Sequence, residues 1–229
     1  MRELRLRPLG SGIRQGQVVD VRLAVLVSGS GTNLAALLRA IAQDSSFGGQ
    51  IVVVGSDRAD VGGLRLAAEA DIPTVVEQLE DHADRAAWEA ALVQRLRLHQ
   101  PAAVVLAGFM RIVSAEFLAH WPHRVVNTHP SLLPGFPGAH AVREALEYGV
   151  KVTGSTVHLV DEQVDHGPII AQEAVEVHPE DTQDSLHERI KAVEHRLLPA
   201  CVEALCQGRV RLDGRVATIS PPPEAAPSL

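Results

Sequence analysis

The sequence predicts a three-layer α/β fold in which a mostly parallel, twisted sheet lies between two layers of helices and is followed by an antiparallel C-terminal part. Short apolar runs that are typical of buried strands alternate with segments whose apolar residues repeat every three to four positions. This alternation extends over five strands, which favours a doubly wound, Rossmann-like sheet with crossover helices. After residue 150 two strand-like runs follow each other across a short polar turn, which indicates an antiparallel hairpin.

The first part of the chain supplies the parallel strands and most of the helices. Strands are expected at residues 21–27, 51–54, 72–76, 102–106 and 124–126. Helices are expected over residues 63–70 and 82–98 and just after Ser114, which suits an N-cap. One further helix follows the first strand, because its apolar residues fall on one face: Leu34, Leu37, Leu38 and Ile41.

The C-terminal part contains the antiparallel strands and the longest helix. Strands are expected over residues 152–160 and 168–177, a helix over residues 141–148, and a small hairpin over residues 209–219. A long helix over residues 183–206 begins after Thr182, which suits an N-cap.

Composition limits the classes of function. The chain has 229 residues, 46% of them hydrophobic, a formal net charge of −7 and two cysteines. This balance attracts neither nucleic acid nor a membrane surface, and two cysteines favour neither a disulfide framework nor a metal site. We expect a soluble globular protein of a reducing compartment. Residues 1–20 are predicted to be a poorly ordered extension, residues 21–219 one domain, and residues 220–229 a disordered tail.

A glycine-rich turn connects the first strand to its helix, with the sequence Ser28-Gly29-Ser30-Gly31-Thr32-Asn33. Backbone N–H groups of such a turn and the positive end of the helix form a site for a phosphate. A dinucleotide is a weaker possibility, because Leu34 occupies the position of the third glycine, although Asp57 could hold a ribose. A tight turn without a ligand is the remaining reading.

A second group of polar residues follows the fifth predicted strand. Asn127 and His129 lie two positions apart, and Pro130 pushes His129 into an extended conformation. Both side chains should therefore face one spot beyond the carboxyl end of the strand, where open α/β sheets bind ligands. An amide beside an imidazole can hold an oxyanion and manage a proton. The alternative is a proline-rich turn with a surface histidine.

Asp165 is the acid that we pair with His129. It lies in a polar turn just before Gly167 and Pro168. A carboxylate near an imidazole raises the pKa of the imidazole above its ordinary value of about 6.5. Together with Asn127 the two residues could form a transfer site that needs no metal. The alternative is an acid that caps its own turn.

The fourth predicted strand opens into an apolar loop, Ala107-Gly108-Phe109-Met110-Arg111-Ile112-Val113. The loop either packs under the core or forms an apolar slot for a flat ligand.

Five blocks of the sequence together resemble the phosphoribosylglycinamide formyltransferases, the folate-dependent enzymes of purine synthesis. They lie between about Leu23 and Gly208, in order and with compatible spacing. The blocks are Ser28-Gly29-Ser30-Gly31-Thr32-Asn33-Leu34, Ala107-Gly108-Phe109-Met110-Arg111-Ile112, Asn127-Thr128-His129-Pro130-Ser131-Leu132-Leu133-Pro134, Gly154-Ser155-Thr156-Val157-His158 and Asp165-His166-Gly167-Pro168.

The resemblance implies a fold of formyltransferase type and formyl transfer from the co-substrate 10-formyltetrahydrofolate to the amine of glycinamide ribonucleotide, without a metal. It implies that Asn127 and His129 stabilise the tetrahedral intermediate and that Asp165 keeps His129 protonated and assists a proton relay. It assigns ribonucleotide binding to Gly31, Thr32, Asn33 and Glu194. It assigns folate binding to Arg85, Met110, Arg111, Ile112, Val113 and Asn127.

Some features depart from the family, and three other readings compete. His166 stands where a small residue is more usual, and Thr32 where some members have serine.

Formyltetrahydrofolate deformylase resembles the same core but carries an N-terminal regulatory domain that twenty residues cannot supply. Methionyl-tRNA formyltransferase needs a C-terminal RNA-binding domain and a basic surface. A non-catalytic dinucleotide-binding regulator would use the glycine-rich turn and Asp57.

Overall fold

The computed structural model of the protein describes residues 20–222. Its strands are β1 (Val21–Val27), β2 (Gly49–Ser56), β3 (Thr74–Val76), β4 (Ala103–Leu106), β5 (Val125–His129), β6 (Val152–Leu159), β7 (Ile169–Glu176), β8 (Val210–Asp213) and β9 (Val216–Ile219). Its α-helices are α1 (Thr32–Gln43), α2 (Gly62–Glu69), α3 (Arg85–Leu98), α4 (Ala115–His120), α5 (Ala141–Tyr148) and α6 (Gln183–Cys206).

The main sheet has seven strands in the order β3-β2-β1-β4-β5-β6-β7, and β8 and β9 form a separate two-stranded sheet. The pairs from β3 to β5 are parallel, whereas β5 pairs with β6 and β6 with β7 in antiparallel fashion. The prediction of a mostly parallel α/β sheet with an antiparallel C-terminal part is therefore confirmed, and β3 lies at one edge of the sheet.

The side chains of β1 alternate between the two faces of the sheet. Leu23 and Val25 belong to a core cluster that includes residues of α1, α2 and α6. Ala24 and Leu26 belong to a second cluster on the opposite face, with residues of α3 and α4. A strand that is buried on both faces has a continuous run of apolar residues in its sequence. This run is the pattern from which β1 was predicted. The protein thus has the three layers that the sequence indicates.

Two predicted boundaries are wrong in ways that affect the site. The fifth strand does not end at Val126 but continues through His129, because Asn127 pairs with His158 and His129 with Thr156 on β6. Helix α3 begins at Arg85, three residues later than predicted, because the side chain of Asp84 accepts the backbone N–H of Ala87 and caps the helix.

Residues 1–19 and 223–229, which contain nearly all of the predicted extension and tail, lie outside the described residues. The division of the chain into these segments and one domain stays a prediction. Within residues 20–222, no helix is both long and apolar enough to cross a membrane.

Candidate functional site

Strand β5 presents polar side chains on both of its faces. Because successive residues of a strand point to opposite faces, Asn127 and His129 share one side and Thr128 takes the other. Asn127 and His129 both reach Asp165, whereas the hydroxyl of Thr128 donates to Glu194 Oε1 at 3.2 Å. Two neighbouring sites are therefore built around three consecutive residues.

The structure brings the three predicted catalytic residues together. His129 Nδ1 lies 3.3 Å from Asp165 Oδ2, and Asn127 Nδ2 lies 3.5 Å from Asp165 Oδ1. The backbone N–H of Gly138 also donates to Asp165 Oδ2, at 2.7 Å. Asp165 has a left-handed backbone conformation with φ of 50°, which is uncommon for a residue with a side chain. The turn and the loop before α5 thus hold the carboxylate against β5.

His129 is buried and faces an acceptor with each ring nitrogen. Nε2 donates to the carbonyl of Phe136 at 2.8 Å, and Nδ1 faces Asp165. Burial lowers the pKa of His129 below its ordinary value, and the Asp165 carboxylate opposes this without cancelling it. We expected the pKa of His129 to be raised. The sign of the Asp165 effect is as expected, but desolvation of the ring is larger.

Asp165 itself is ionised. Burial would raise the pKa of Asp165, but the nearby imidazoles of His158 and His129 and the N–H of Gly138 outweigh burial and lower it. The carboxylate is therefore a fixed negative charge beside His129.

His158 is a buried member of the cluster to which the sequence interpretation assigned no role. Its Nδ1 donates to the carbonyl of Leu159 at 3.0 Å, which leaves Nε2 to accept from Asn127 Nδ2 at 3.2 Å. This contact orients the amide of Asn127. The only signal in the sequence was its place in the fourth resembling block, because its pairing with Asn127 is formed across strands.

The glycine-rich turn has the geometry of an anion site. Gly31 has a φ of 78° and precedes α1, and a Cβ at this position would lie 2.5 Å from the Cα of Gly63. Only glycine therefore fits. In the part of the chain that the structure describes, no side chain caps α1, so its first N–H groups can bind an anion beside Thr32.

Asn33 and Glu194 connect this turn to β5. Asn33 Nδ2 donates to Glu194 Oε2 at 3.3 Å, and Glu194 Oε1 accepts from Thr128. Both Asn33 and Glu194 are buried, and burial raises the pKa of Glu194, although these two hydrogen bonds oppose the rise. The predicted ribonucleotide residues are thus brought together, next to the Asn127–His129 pair.

The sequence analysis did not identify the basic residues that lie near this turn. A cavity of about 350 Å³ beside Thr32 is also lined by Arg39 and His195. Lys191 lies on α6, three positions before Glu194, and its charge opposes the rise in the pKa of Glu194. Burial, Arg39 and then Lys191 lower the pKa of His195. The spacing of three and four positions on one helix face was the available signal.

The predicted folate residues lie around the loop after β4. Arg85 donates through Nη2 to the carbonyl of Ile112, although the two residues are 27 positions apart. Met110 and Ile112 are 64% and 56% exposed, whereas Phe109 and Val113 are buried. Both predictions for this loop therefore hold in part. Phe109 and Val113 pack into the core, whereas Met110 and Ile112 present an apolar surface.

The side chain of Arg111 forms an ion pair with Asp57, at the carboxyl end of β2. Its Nε donates to Asp57 Oδ2 at 2.7 Å, and Asp57 is buried. Because Asp57 is engaged in this way, it is unsuited to hold a ribose, which disfavours the dinucleotide reading. Among residues 20–222, no group of three or more His, Cys, Asp and Glu residues could hold a metal ion.

The chain is similar to known proteins over most of its length. The family described as formyl transferase matches residues 21–202. A phosphoribosylglycinamide formyltransferase of Mycobacterium tuberculosis is 49% identical over 198 residues, which cover 86% of this chain and 91% of that protein. The crystal structure of glycinamide ribonucleotide transformylase 1 from Symbiobacterium toebii is 44% identical, with a TM-score of 0.86, and the match covers 92% of this chain and 98% of that one.

A further solved structure is also similar, at lower identity. A formyltetrahydrofolate deformylase from Pseudomonas syringae is 29% identical, with a TM-score of 0.80, and the match covers 87% of this chain and 66% of that one.

Proposed function

Because this chain belongs to the phosphoribosylglycinamide formyltransferases, we propose that it transfers a formyl group from 10-formyltetrahydrofolate to the amine of glycinamide ribonucleotide in purine biosynthesis. The observation that carries the proposal is the convergence of Asn127, His129 and Asp165 next to an anion-binding turn. The substrates are small molecules, no metal takes part, and the protein acts in the cytoplasm as a monomer or homodimer.

The ribonucleotide binds on the Thr128 side of β5. Its phosphate lies on the first N–H groups of α1, held by Gly31, Thr32 and Asn33, and Glu194 contacts the rest of the molecule. The support is that Asn33 and Glu194 are hydrogen-bonded to each other and that Glu194 also accepts from Thr128. This placement extends the ribonucleotide from the turn toward His129.

The folate binds against the loop of residues 108–113. The exposed side chains of Met110 and Ile112 form an apolar wall, Arg111 and Val113 complete the loop, and Arg85 lies at its rim. Flat, partly apolar ligands bind in such pockets, where a few polar groups fix their orientation. Asn127 contacts the formyl end.

In the reaction, the amine nitrogen attacks the formyl carbon, and the carbonyl oxygen becomes an oxyanion. The Asn127 amide donates to that oxygen. His129 starts neutral, because burial lowers its pKa, and the negative charge of the intermediate favours its protonation. Asp165 stabilises the resulting cation and assists the relay of a proton from the amine to the folate nitrogen that leaves. His129 can donate to the oxyanion only when Phe136 releases Nε2.

The decisive experiment mixes the protein with glycinamide ribonucleotide and 10-formyltetrahydrofolate and measures formyl transfer and formate release separately. We expect formylated ribonucleotide, and a loss of kcat of about 10²–10³ in Asn127→Ala, as for other oxyanion donors. Formate release that does not depend on the ribonucleotide would instead identify a deformylase. This alternative is suggested by the similar deformylase structure of lower identity.

A further inference from the structure

A buried carboxylate joins the carboxyl ends of three neighbouring strands. Asp57 directly follows β2, and its side chain has no solvent exposure. Asp57 Oδ1 accepts the hydroxyl of Ser28, which follows β1, at 2.5 Å. Asp57 Oδ2 accepts Arg111 Nε, from the loop after β4, at 2.7 Å. The strands β2, β1 and β4 are adjacent in the sheet, so one carboxylate spans all three.

Ser28 holds the same loop through its backbone and its side chain. Its backbone N–H donates to the carbonyl of Gly108 at 3.1 Å, and its Oγ accepts the N–H of Met110 at 2.9 Å. The hydroxyl of Ser28 therefore relays a contact from Asp57 to Met110. Both oxygens of Asp57 act on the loop of residues 108–113, one through Ser28 and the other through Arg111.

Such an arrangement resists distortion. A buried carboxylate that loses its partners pays a large desolvation cost, so the loop cannot swing away from Asp57 without leaving a buried charge unpaired. Ser28 is also the first residue of the glycine-rich turn. The loop after β4 is thereby fixed relative to the turn that we assign to the ribonucleotide phosphate.

We propose that Asp57 is a positioning residue for folate binding, which fixes the loop of residues 108–113 against Ser28 so that the folate wall lies at a set distance from the ribonucleotide turn. This inference rests on the proposed function. Asp57 touches neither substrate in this scheme and acts through Arg111 and Ser28.

The test is a comparison of steady-state kinetics with each substrate varied in turn. In Asp57→Asn one acceptor oxygen becomes an NH₂ group, so one of the two bonds is lost and the charge of the pair disappears. We expect the KM for the formyl folate to rise by about tenfold or more, as for a lost charge-assisted hydrogen bond, while the KM for the ribonucleotide stays within about twofold.

The matched control is Arg58→Ala. Arg58 Nε lies 3.9 Å from the same Asp57 oxygen, but its side chain is 61% exposed and comes from the residue after Asp57 rather than from the loop. We expect both KM values to remain unchanged. Ser28→Ala is the second variant: it removes the acceptor of the Met110 N–H and should raise the folate KM selectively even if Asp57→Asn does not fold.

Three results would overturn the proposal: an unchanged folate KM in the folded variants, an equal rise in both KM values, or the same shift in Arg58→Ala. Absence of formyl transfer by the unaltered protein would instead contradict the proposed function, and it is measured first.

Discussion

His129 illustrates how one residue can be held ready for a proton. Its Nε2 donates to Phe136, so in the neutral ring Nδ1 carries a lone pair that faces the Asp165 carboxylate. A proton that arrives on Nδ1 turns this contact into an ion pair. Burial disfavours that cation and Asp165 favours it, so the protonation state of His129 is balanced between two opposing effects.

Asp165→Asn should lower the pKa of His129 further. The carboxylate is the largest effect that opposes burial, and its removal leaves desolvation of the ring dominant. Titration of the His129 ring by NMR in both proteins measures the shift. Asp161→Asn is the control, because Asp161 lies in the same turn but pairs with His166. A His129 pKa that rises or stays constant in Asp165→Asn, while activity is lost, would mean that Asp165 acts by ordering its turn.

Glu194→Gln should stabilise the fold at the expense of ribonucleotide binding. The pKa of Glu194 is raised in the folded state, so its ionised form costs stability increasingly as pH rises through that pKa. Among the described residues, Asn33 Oδ1 is buried without a hydrogen-bond partner, and the glutamine amide can donate to it once the Asn33 amide, whose Nδ2 now faces Glu194, turns over. We expect Tm at pH 8 to rise by about 2–4 °C for each kcal/mol gained.

The gain in Tm should shrink as pH falls toward 4.5, the ordinary pKa of a glutamate side chain. Thermal unfolding at several pH values provides the measurement. A Gln variant that is less stable than the parent at pH 8 would show that the two hydrogen bonds of Glu194 outweigh its burial.

At the scale of elements, the N-terminus of α1 combines a glycine of positive φ with uncapped N–H groups in the described residues. Thr32 adds a side-chain hydroxyl at this end. The sequence predicted this helix from the apolar residues on its buried face. Its proposed role in anion binding depends instead on the N–H groups at its N-terminus.

Thr32→Ala should weaken ribonucleotide binding more than folate binding. One hydrogen bond to a phosphate contributes about 1.5–3 kcal/mol. Calorimetric titration with each substrate separates the two effects, and Ser45→Ala, an exposed serine outside the turn, is the control. A selective loss of folate affinity would reverse the assignment of the two subsites.

The loop after β4 allows a test without damage to the core. Met110→Asp should raise the folate KM while the protein stays folded, because Met110 is 64% exposed and a charge there opposes an apolar ligand. Val216→Asp is a matched control, since Val216 is 62% exposed on β9. Normal folate kinetics in Met110→Asp would remove this side chain from the pocket.

At the scale of the whole molecule, the chemistry is assigned to an amide, an imidazole and a carboxylate. We therefore expect formyl transfer to continue at an unchanged rate in EDTA, with the activity of a parallel sample in added Mg²⁺ as the reference. A loss of activity in EDTA that a divalent ion restores would contradict the metal-free mechanism.

The sequence predicted those features that depend on neighbours along the chain. The apolar runs of β1 and β4 and the cap of α6 at Thr182 were all foreseen. The end of β5 was not, because β6 extends its ladder from more than twenty residues away. Contacts such as Asn127–His158 and Asp57–Arg111 join residues that are distant in sequence, and local patterns contain no information about such pairings. Asn127, His129 and Asp165 were candidates from the strand end and the polar turn, whereas the roles proposed for them came from the resemblance to the family.

Under the proposed function, the alternation along β5 makes the register of this strand a condition for activity. Thr128 serves one site, and Asn127 and His129 serve the other, so a shift of one position would exchange the faces of all three. A single residue inserted within β5, between Val126 and Asn127, should exchange these faces and abolish both sites together. Insertions at the Asp213–Gly214 turn displace neither set. Tolerance to length changes in this protein should therefore be lowest within β5, and libraries that vary segment length should keep β5 itself unchanged.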